Sequence, residues 1–280
     1  MRIKLILGLA LLYSAAGAQT WSIPAKSGAL QMGVVVYIES IYQHTGAVKG
    51  ADTLSGTGFL IADSNKVYLV TAKHIIQQLL PGKNQQLANN NLFISATWER
   101  NDKGTKILNL SNWAGAKRPF IFSSDEEDIA IISLQKNKYK PVLVAMLRGG
   151  RKPVSIDSID KSNDHYTDEP FFHPFFIVFK NKNGIKERHL GLAPGKIKSF
   201  DEKYPLFTTN ETVAASFSGS PIFINDKIAG VFIYKEGLTN NAAIIREPFH
   251  NAKSGTAAKA SGILPLLKKL QENENTPGFN

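Results

Sequence analysis

The sequence predicts an all-β protein with a short helix near its carboxyl end. Apolar runs of strand length recur along the chain, rich in Val, Ile, Phe and Tyr and separated by Gly, Asn, Asp, Lys or Pro. This pattern is typical of strands joined by turns, and stretches with helical periodicity are scarce. The chain of 280 residues contains no cysteine, so burial of apolar side chains must stabilise it without disulfide bonds.

The first eighteen residues are set apart because they have the pattern of an export signal. Arg2 and Lys4 give a basic start, an apolar stretch covers residues 5–16, and small residues surround a cleavage site after Ala18. A membrane anchor is the competing interpretation, but a transmembrane helix needs roughly 20 apolar residues. We therefore expect a mature protein that begins at Gln19, is secreted or periplasmic in a bacterium, and has no stable membrane insertion.

The charge of the chain predicts a basic surface without a nucleic-acid site. The formal net charge is +10 and falls to +8 when Arg2 and Lys4 leave with the signal. The basic residues are spread through polar connecting stretches, whereas a nucleic-acid site shows a dense basic stripe, often with stacking aromatic residues. We expect no nucleic-acid partner, while attraction to an anionic envelope or to acidic substrates stays open.

Strand-length runs make up the first half of the mature chain. They cover residues 33–38, 58–62, 66–72, 92–98, 107–110 and 129–134. Asp63, Ser64 and Asn65 predict a tight hairpin turn between the second and third runs. We expect a first domain over residues 19–146.

A linker is predicted at residues 147–170, which are rich in Gly, Lys, Ser and Asp. The strand-length runs of a second domain follow at 171–179, 195–200, 221–224, 228–234 and 242–245. Asn225 and Asp226 predict another hairpin turn. Apolar residues at helical spacing then predict a short amphipathic helix that packs on the second half; they are Ile263, Leu266, Leu267 and Leu270. The second domain spans 171–272, and 273–280 is a polar tail.

His74 and Asp128 each lie at the end of a predicted strand. Rigid backbone would hold the imidazole of His74 as a general base must be held, and the ordinary pKa of an imidazole lies close to neutrality. A buried carboxylate at Asp128 would orient an imidazole and stabilise its protonated form. Taken alone, His74 also fits a surface histidine, and Asp128 also fits the end of the acidic loop 125–127.

Ser218 lies among small residues just before a predicted strand, in the segment Ser216-Phe217-Ser218-Gly219-Ser220-Pro221. A serine hydroxyl becomes a nucleophile when a neighbouring base takes its proton. Small residues let backbone N–H groups face a developing oxyanion, and one such donor contributes about 2.7–4 kcal/mol in a serine protease. Taken alone, the segment also fits a turn that only links strands.

Considered together, these segments resemble the trypsin-like (chymotrypsin-fold) serine peptidases, especially bacterial members such as the glutamyl endopeptidases and the periplasmic heat-shock proteases. Gly56-Thr57-Gly58-Phe59 and Thr71-Ala72-Lys73-His74 are similar to the family's Gly-Ser/Thr-Gly-Phe and Thr-Ala-x-His. Asp128-Ile129-Ala130 is similar to its Asp-hydrophobic-Ala, and Ser218-Gly219-Ser220-Pro221 to its Ser-Gly-Gly/Ser-Pro. The motifs also follow the family's order.

The resemblance implies two six-stranded antiparallel β-barrels with the site in the cleft between them. His74 would take the proton of Ser218, and Asp128 would hold His74 in the right tautomer. The backbone N–H groups of Ser216 and Ser218 would form the oxyanion hole. The implied activity is that of a serine endopeptidase, a hydrolase that cleaves peptide or protein substrates through an acyl-enzyme and uses no cofactor.

Two residues depart from the family's pattern. The family usually has Gly where Ser216 stands, and a side chain there disfavours the backbone conformation that aims the N–H at the oxyanion. This departure supports the alternative of a catalytically inactive protease-fold protein that binds peptides or partners. A third alternative is a hydrolase that cleaves non-peptide esters with the same triad. Phe217 replaces the Asp of the animal digestive enzymes, so activation by a new N-terminus that pairs with this Asp is not expected.

Alignment on the nucleophile predicts the residues of the primary specificity pocket. They are Thr212, Val213, Ile233, Tyr234 and Lys235. Thr212 occupies the position at which trypsin carries the acid that selects Lys or Arg, so that preference is not expected. Lys235 would favour acidic side chains, as in the glutamyl endopeptidases, although an exposed lysine at a strand end is the commoner situation.

No cofactor or metal site is predicted. The chain has no phosphate-binding loop and no dinucleotide-binding fingerprint, and without cysteine a thiolate zinc site is excluded. The five other histidines lack the spacing of metal ligands; they are His44, His165, His173, His189 and His250.

Overall fold

The described part of the chain, in this computed structural model, includes residues from both predicted domains. It consists of residues 31–43, 51–78, 86–87, 91–95, 105–110, 118–162, 164–180, 182–184, 186–210, 215–233, 255–277 and 279. The predicted signal at 1–18 and the strand predicted at 242–245 lie outside these residues.

The first half forms an eight-stranded sheet. The strands of this half are β1 (Val35–Gln43), β2 (Ala51–Asp63), β3 (Lys66–Ala72), β4 (Gln77–Gln78), β5 (Gln86–Leu87), β6 (Asn91–Ser95), β7 (Thr105–Asn109), β8 (Phe120–Phe122), β9 (Ile129–Ser133) and β10 (Val154–Ser155). Their order across the sheet is β7-β6-β1-β2-β3-β9-β8, with β10 parallel to β2, while β4 and β5 form a separate ribbon.

Among the described residues this first sheet is open, whereas the family resemblance implies a closed six-stranded barrel. Closure requires that the two end strands pair, which depends on strand tilt and on the stagger of the hydrogen bonds. Here β7 and β8 end the order and pair with β6 and β9 alone. The predicted closure of the first half is therefore absent from the described strands.

The second half forms a closed six-stranded antiparallel barrel, as predicted. Its strands are β11 (Pro170–Lys180), β12 (Lys186–Ser199), β13 (Leu206–Thr209), β14 (Pro221–Ile224), β15 (Lys227–Ile233) and β16 (Gly255–Lys259). They pair in the order β11-β12-β13-β16-β15-β14, and β14 closes the barrel on β11 where Phe223 faces Phe172. Asn225 and Asp226 both have positive φ, at 48° and 64°, as a type I′ hairpin requires.

The segment predicted as a linker contacts both halves. Its strand β10 pairs with β2, and the buried guanidinium of Arg151 donates to the Val35 carbonyl at 2.8 Å. Burial lowers the pKa of Arg151 to about 10. Further along, the N–H of Asp160 donates to the Ile228 carbonyl of the barrel at 2.8 Å. Residues 147–170 thus pack along the sheet and the barrel.

The helices that bear on the site and the core are α1 (Lys73–Ile76), α2 (Lys140–Arg148) and α3 (Ile263–Glu274). The sequence predicts α3, but its expected packing on the second half is wrong: α3 contacts β8 and β9 of the first sheet. Its apolar stripe is buried there and consists of Ile263, Leu267 and Leu270. No helix of the described part is long and apolar enough to cross a membrane.

A buried carboxylate at the end of α3 explains where this helix packs. The side chain of Glu274 is 4% exposed and pairs with Lys66 at 2.7 Å. It also accepts hydrogen bonds from the hydroxyl of Tyr68, at 3.1 Å, and from that of Ser133. Burial raises the pKa of Tyr68, which keeps its hydroxyl protonated as a donor. Three donors from β3 and β9 thus replace the water that a carboxylate loses on burial.

Replacing this carboxylate tests whether it anchors the last helix. Glu274→Ala should lower the free energy of unfolding by about 2–4 kcal/mol, because it leaves buried donors without their acceptor. Glu272→Ala, on an exposed position of the same helix, is the matched control and should change stability by less than about 0.5 kcal/mol. Equal effects of the two substitutions in urea unfolding would contradict the anchoring role.

Candidate active site

His74 and Asp128 form a hydrogen-bonded pair in the first sheet, where β3 ends and β9 begins. His74 lies in α1, directly after β3, and its ring Nδ1 is 2.6 Å from Asp128 Oδ2. Its backbone N–H donates to Asp128 Oδ1 at 2.9 Å. A carboxylate oxygen only accepts, so Nδ1 carries the hydrogen, and in the neutral ring Nε2 is the proton acceptor. The imidazole, 23% exposed, is therefore oriented by a carboxylate that is 5% exposed.

The backbone of Asp128 has an uncommon conformation just before β9. Its φ is +54°, in the left-handed region that Asp tolerates better than most residues. Two hydrogen bonds hold it: the N–H of Lys73 donates to the Asp128 carbonyl at 2.7 Å, and the N–H of Asp128 donates to the Ser124 carbonyl at 3.1 Å. The neighbour of His74 thus fixes the residue that orients His74.

The side chain of Lys73 holds the same loop. It is 5% exposed and forms an ion pair with Asp125, and its ammonium donates to the Ser123 carbonyl at 3.2 Å. Ser123 in turn accepts the N–H of Ile129 on its hydroxyl at 2.8 Å. The sequence analysis predicted no role for Lys73. Its position between Ala72 and His74 is the feature that could have indicated one.

Ser218 lies in a buried segment where the barrel meets the first sheet. A 3-10 helix over Ala215–Phe217 leads into it, and Ser218 is 1% exposed. Its carbonyl accepts the N–H of Thr57 in β2 at 2.8 Å, while the N–H of Gly219 donates to the Phe232 carbonyl in β15 at 2.7 Å. We call residues 215–220 the nucleophile segment, after the role predicted for Ser218.

The backbone of this segment approaches the first sheet so closely that glycine is required on both sides. A Cβ atom at Gly219 would lie 2.0 Å from the Thr57 carbonyl oxygen and 2.9 Å from the Ala72 nitrogen, and φ there is +85°. A Cβ atom at Gly56 would lie 2.7 Å from the Ser218 carbonyl oxygen. The segment therefore packs against β2 and against the end of β3, the strand that leads into α1.

The two amides predicted as oxyanion donors lie in a tight helical turn. Ser216 is 8% exposed, and it has the negative φ of a 3-10 helix, which a side chain favours. In such a helix each carbonyl accepts from the amide three residues further on. This pattern directs the carbonyl of Ala215 toward the amide of Ser218.

Phe217 anchors the nucleophile segment in the core of the barrel. It is 5% exposed, and its ring centroid lies 4.2 Å from that of Phe175 and 4.8 Å from that of His173. His173 is fully buried, stacks on Phe232 and has its Nδ1 3.4 Å from the Ser220 hydroxyl. An aromatic cluster thus surrounds the side chain of Phe217.

Little of the predicted specificity pocket is described. Thr212, Val213, Tyr234 and Lys235 lie outside the described residues. Ile233 ends β15, pairs with Thr256 of β16 and is fully buried. The side chain of Ile233 therefore belongs to the hydrophobic core.

Two other described histidines lie beside carboxylates. His165 lies between two carboxylates, with Nε2 3.2 Å from Asp160 and Nδ1 2.8 Å from Glu169. His189 lies 3.3 Å from Glu187. No three His, Asp or Glu side chains of the described part are grouped to hold a metal ion. His44 and His250 lie outside the described residues.

No family model matches the chain, and no curated protein matches it.

Two glycines with nearly the same positive φ separate the effect of close packing from that of strain. Gly219→Ala should lower the free energy of unfolding by about 3 kcal/mol or more, because a positive φ costs about 1–2 kcal/mol and overpacking adds about 1–3 kcal/mol. Gly150 also has a positive φ, +83°, but has open space around its Cβ position.

Gly150→Ala should therefore lower the free energy of unfolding by only about 1–2 kcal/mol. Urea unfolding of both variants measures the difference, and equal losses would contradict the close approach of the nucleophile segment to β2.

Proposed function

We propose that the chain is an exported serine endopeptidase of chymotrypsin-like type, with His74, Asp128 and Ser218 as its catalytic triad. The observation that carries the proposal is the His74–Asp128 pair, in which a buried carboxylate holds Nδ1 at 2.6 Å and leaves Nε2 to accept a proton. The packing of the nucleophile segment against β2 and β3 supports Ser218 as the partner of this base.

In the proposed reaction, Ser218 Oγ attacks the carbonyl carbon of the scissile peptide while His74 Nε2 takes the hydroxyl proton. Asp128 stabilises the imidazolium that forms. His74 then gives the proton to the leaving amine, and an acyl-enzyme remains on Ser218. Water, activated by the same base, attacks the ester carbonyl and releases the acid. Each of these proton transfers is assigned to a residue of this chain.

The distribution of the site over the two halves supports the chymotrypsin-like arrangement. His74 and Asp128 come from the first sheet, and Ser218 comes from the segment that leads into β14 of the closed barrel. We propose that the first sheet corresponds to the family's first barrel, open at β7 and β8. The proposal includes removal of residues 1–18 on the way to a periplasmic or extracellular location.

One observation favours a second candidate function, a peptide- or partner-binding protein without activity. The 3-10 helix over Ala215–Phe217 directs the Ala215 carbonyl toward the Ser218 amide. An oxyanion would need this amide as a hydrogen-bond donor, so the carbonyl competes with it. In the active form the Ala215–Ser216 peptide must turn over. Such a rotation converts a type I turn into a type II turn, which requires positive φ at the second central residue, here Ser216.

Labelling with a fluorophosphonate probe tests the enzyme against the binding protein. The mature chain should be labelled, and peptide mass spectrometry should locate the label on Ser218 and not on Ser216 or Ser220. Ser218→Ala should abolish labelling because the attacking oxygen is lost, and His74→Ala should slow it by at least about 100-fold because the general base is lost. A folded wild-type protein that resists the probe as fully as Ser218→Ala would rule out the enzyme.

Substitution of Ser216 tests whether the turn limits activity. Ser216→Gly should raise the labelling rate roughly tenfold, because glycine removes the cost of about 1–2 kcal/mol that a side chain has at positive φ. Ser216→Ala is the matched control: it removes the hydroxyl but keeps Cβ, so the rate should not rise. If Ser216→Gly labels no faster than Ser216→Ala, the turn does not control the proposed oxyanion hole.

A further inference from the structure

Thr57 joins the nucleophile segment to both halves of the molecule. It lies in β2 and is fully buried. Its hydroxyl donates to the Ser216 carbonyl at 2.9 Å and accepts the N–H of Phe176 in β11 at 3.0 Å. Its backbone N–H donates to the Ser218 carbonyl at 2.8 Å. One residue of the first sheet therefore holds two carbonyls of the segment and one amide of the barrel.

These contacts leave the Thr57 hydroxyl only one orientation. A hydroxyl has a single hydrogen, and because Phe176 donates to the oxygen, that hydrogen is the one directed at Ser216. The β-branched side chain has restricted rotation about χ1. The backbone of Thr57 is fixed as well, since its carbonyl accepts the hydroxyl of Thr71 at 2.9 Å. The donor that reaches Ser216 is thus preorganised.

The carbonyl that Thr57 holds belongs to the peptide between the two proposed oxyanion donors. The amide of Ser216 is part of the preceding peptide, and the amide of Ser218 is part of the following one. With the middle peptide fixed at its carbonyl, and with Phe217 packed in the barrel core, the outer peptides can rotate only about the Cα atoms of Ser216 and Phe217. This hydrogen bond therefore limits the directions that both donors can take.

We propose that Thr57 is a positioning residue of the active site, whose hydroxyl sets the orientation of the oxyanion-binding amides of the nucleophile segment. The proposal rests on the proposed function and adds to it the residue that controls the segment. It separates two properties of the site: Thr57 acts on the amides at Ser216 and Ser218, whereas the base is held independently by Asp128.

Thr57→Val tests this role because it keeps the shape and the backbone N–H and removes only the hydroxyl. The second-order rate of fluorophosphonate labelling should fall about 10–100-fold, the size expected for a misplaced catalytic group. The pH midpoint of labelling should stay where it is in the wild type, because the His74–Asp128 pair is untouched. Deuterium exchange of peptides covering 215–220 should become faster, since the Ser216 carbonyl loses its donor.

Two further variants serve as controls. Thr57→Ser keeps the hydroxyl and should retain most of the labelling rate and the slow exchange of the segment. Thr209→Val makes the same change at a fully buried threonine of the barrel, whose hydroxyl has no hydrogen-bond partner among the described residues. It should leave the rate, the midpoint and the exchange unchanged. If Thr57→Val does not fold, Thr57→Ala takes its place in the comparison with Thr57→Ser.

The two readouts separate the possible failures. A Thr57→Val protein with wild-type labelling and wild-type exchange overturns the positioning role while the enzyme stands. A shifted pH midpoint in that variant also overturns it, because the hydroxyl would then act on the base. If the wild type resists the probe, the enzyme is excluded and the catalytic positioning role falls with it; faster exchange in Thr57→Val then shows only that the hydroxyl holds the segment.

Discussion

The hydrogen bond from the Thr57 N–H to the Ser218 carbonyl joins the closed barrel to the open sheet at the candidate site. The sheet supplies the base and its carboxylate, and the barrel supplies the serine, so proton transfer between them depends on how closely the two units are held. Backbone atoms make this contact, and they have no rotamers to lose. Glycine at positions 56 and 219 permits this contact because it has no Cβ atom, for which neither position has room.

The elements that local pattern determines were predicted well from the sequence. β3 and β14 have the predicted bounds, and Asn225-Asp226 forms the expected turn, because apolar runs and turn residues act over short distances. The short strand β16 was missed, since Gly-Thr-Ala-Ala-Lys has no Val, Ile or aromatic residue. Closure of the first sheet and the docking of α3 depend on strand stagger and on a buried glutamate, which no local pattern encodes.

The candidate site shows the same division between local and distant determinants. The sequence placed His74 and Asp128 at strand ends, and in the structure they are hydrogen-bonded, although their catalytic role is still a prediction. Thr57 was noted only as part of a motif, because its contact with Ser216 spans 159 positions. The side chain at Ser216 was recognised as a departure from the family. The 3-10 helix that contains Ser216 was found only in the three-dimensional structure.

The docking of α3 on the first sheet also affects the order in which the molecule is completed. Synthesis proceeds from the amino end, and early regions usually fold first. Here the donors on Lys66, Tyr68 and Ser133 lack their acceptor until Glu274 has been made. The sheet that carries His74 and Asp128 is therefore completed by a helix whose Glu274 lies 141 positions beyond Ser133. A chain shortened before Glu274 consequently holds its proposed base on an incomplete scaffold.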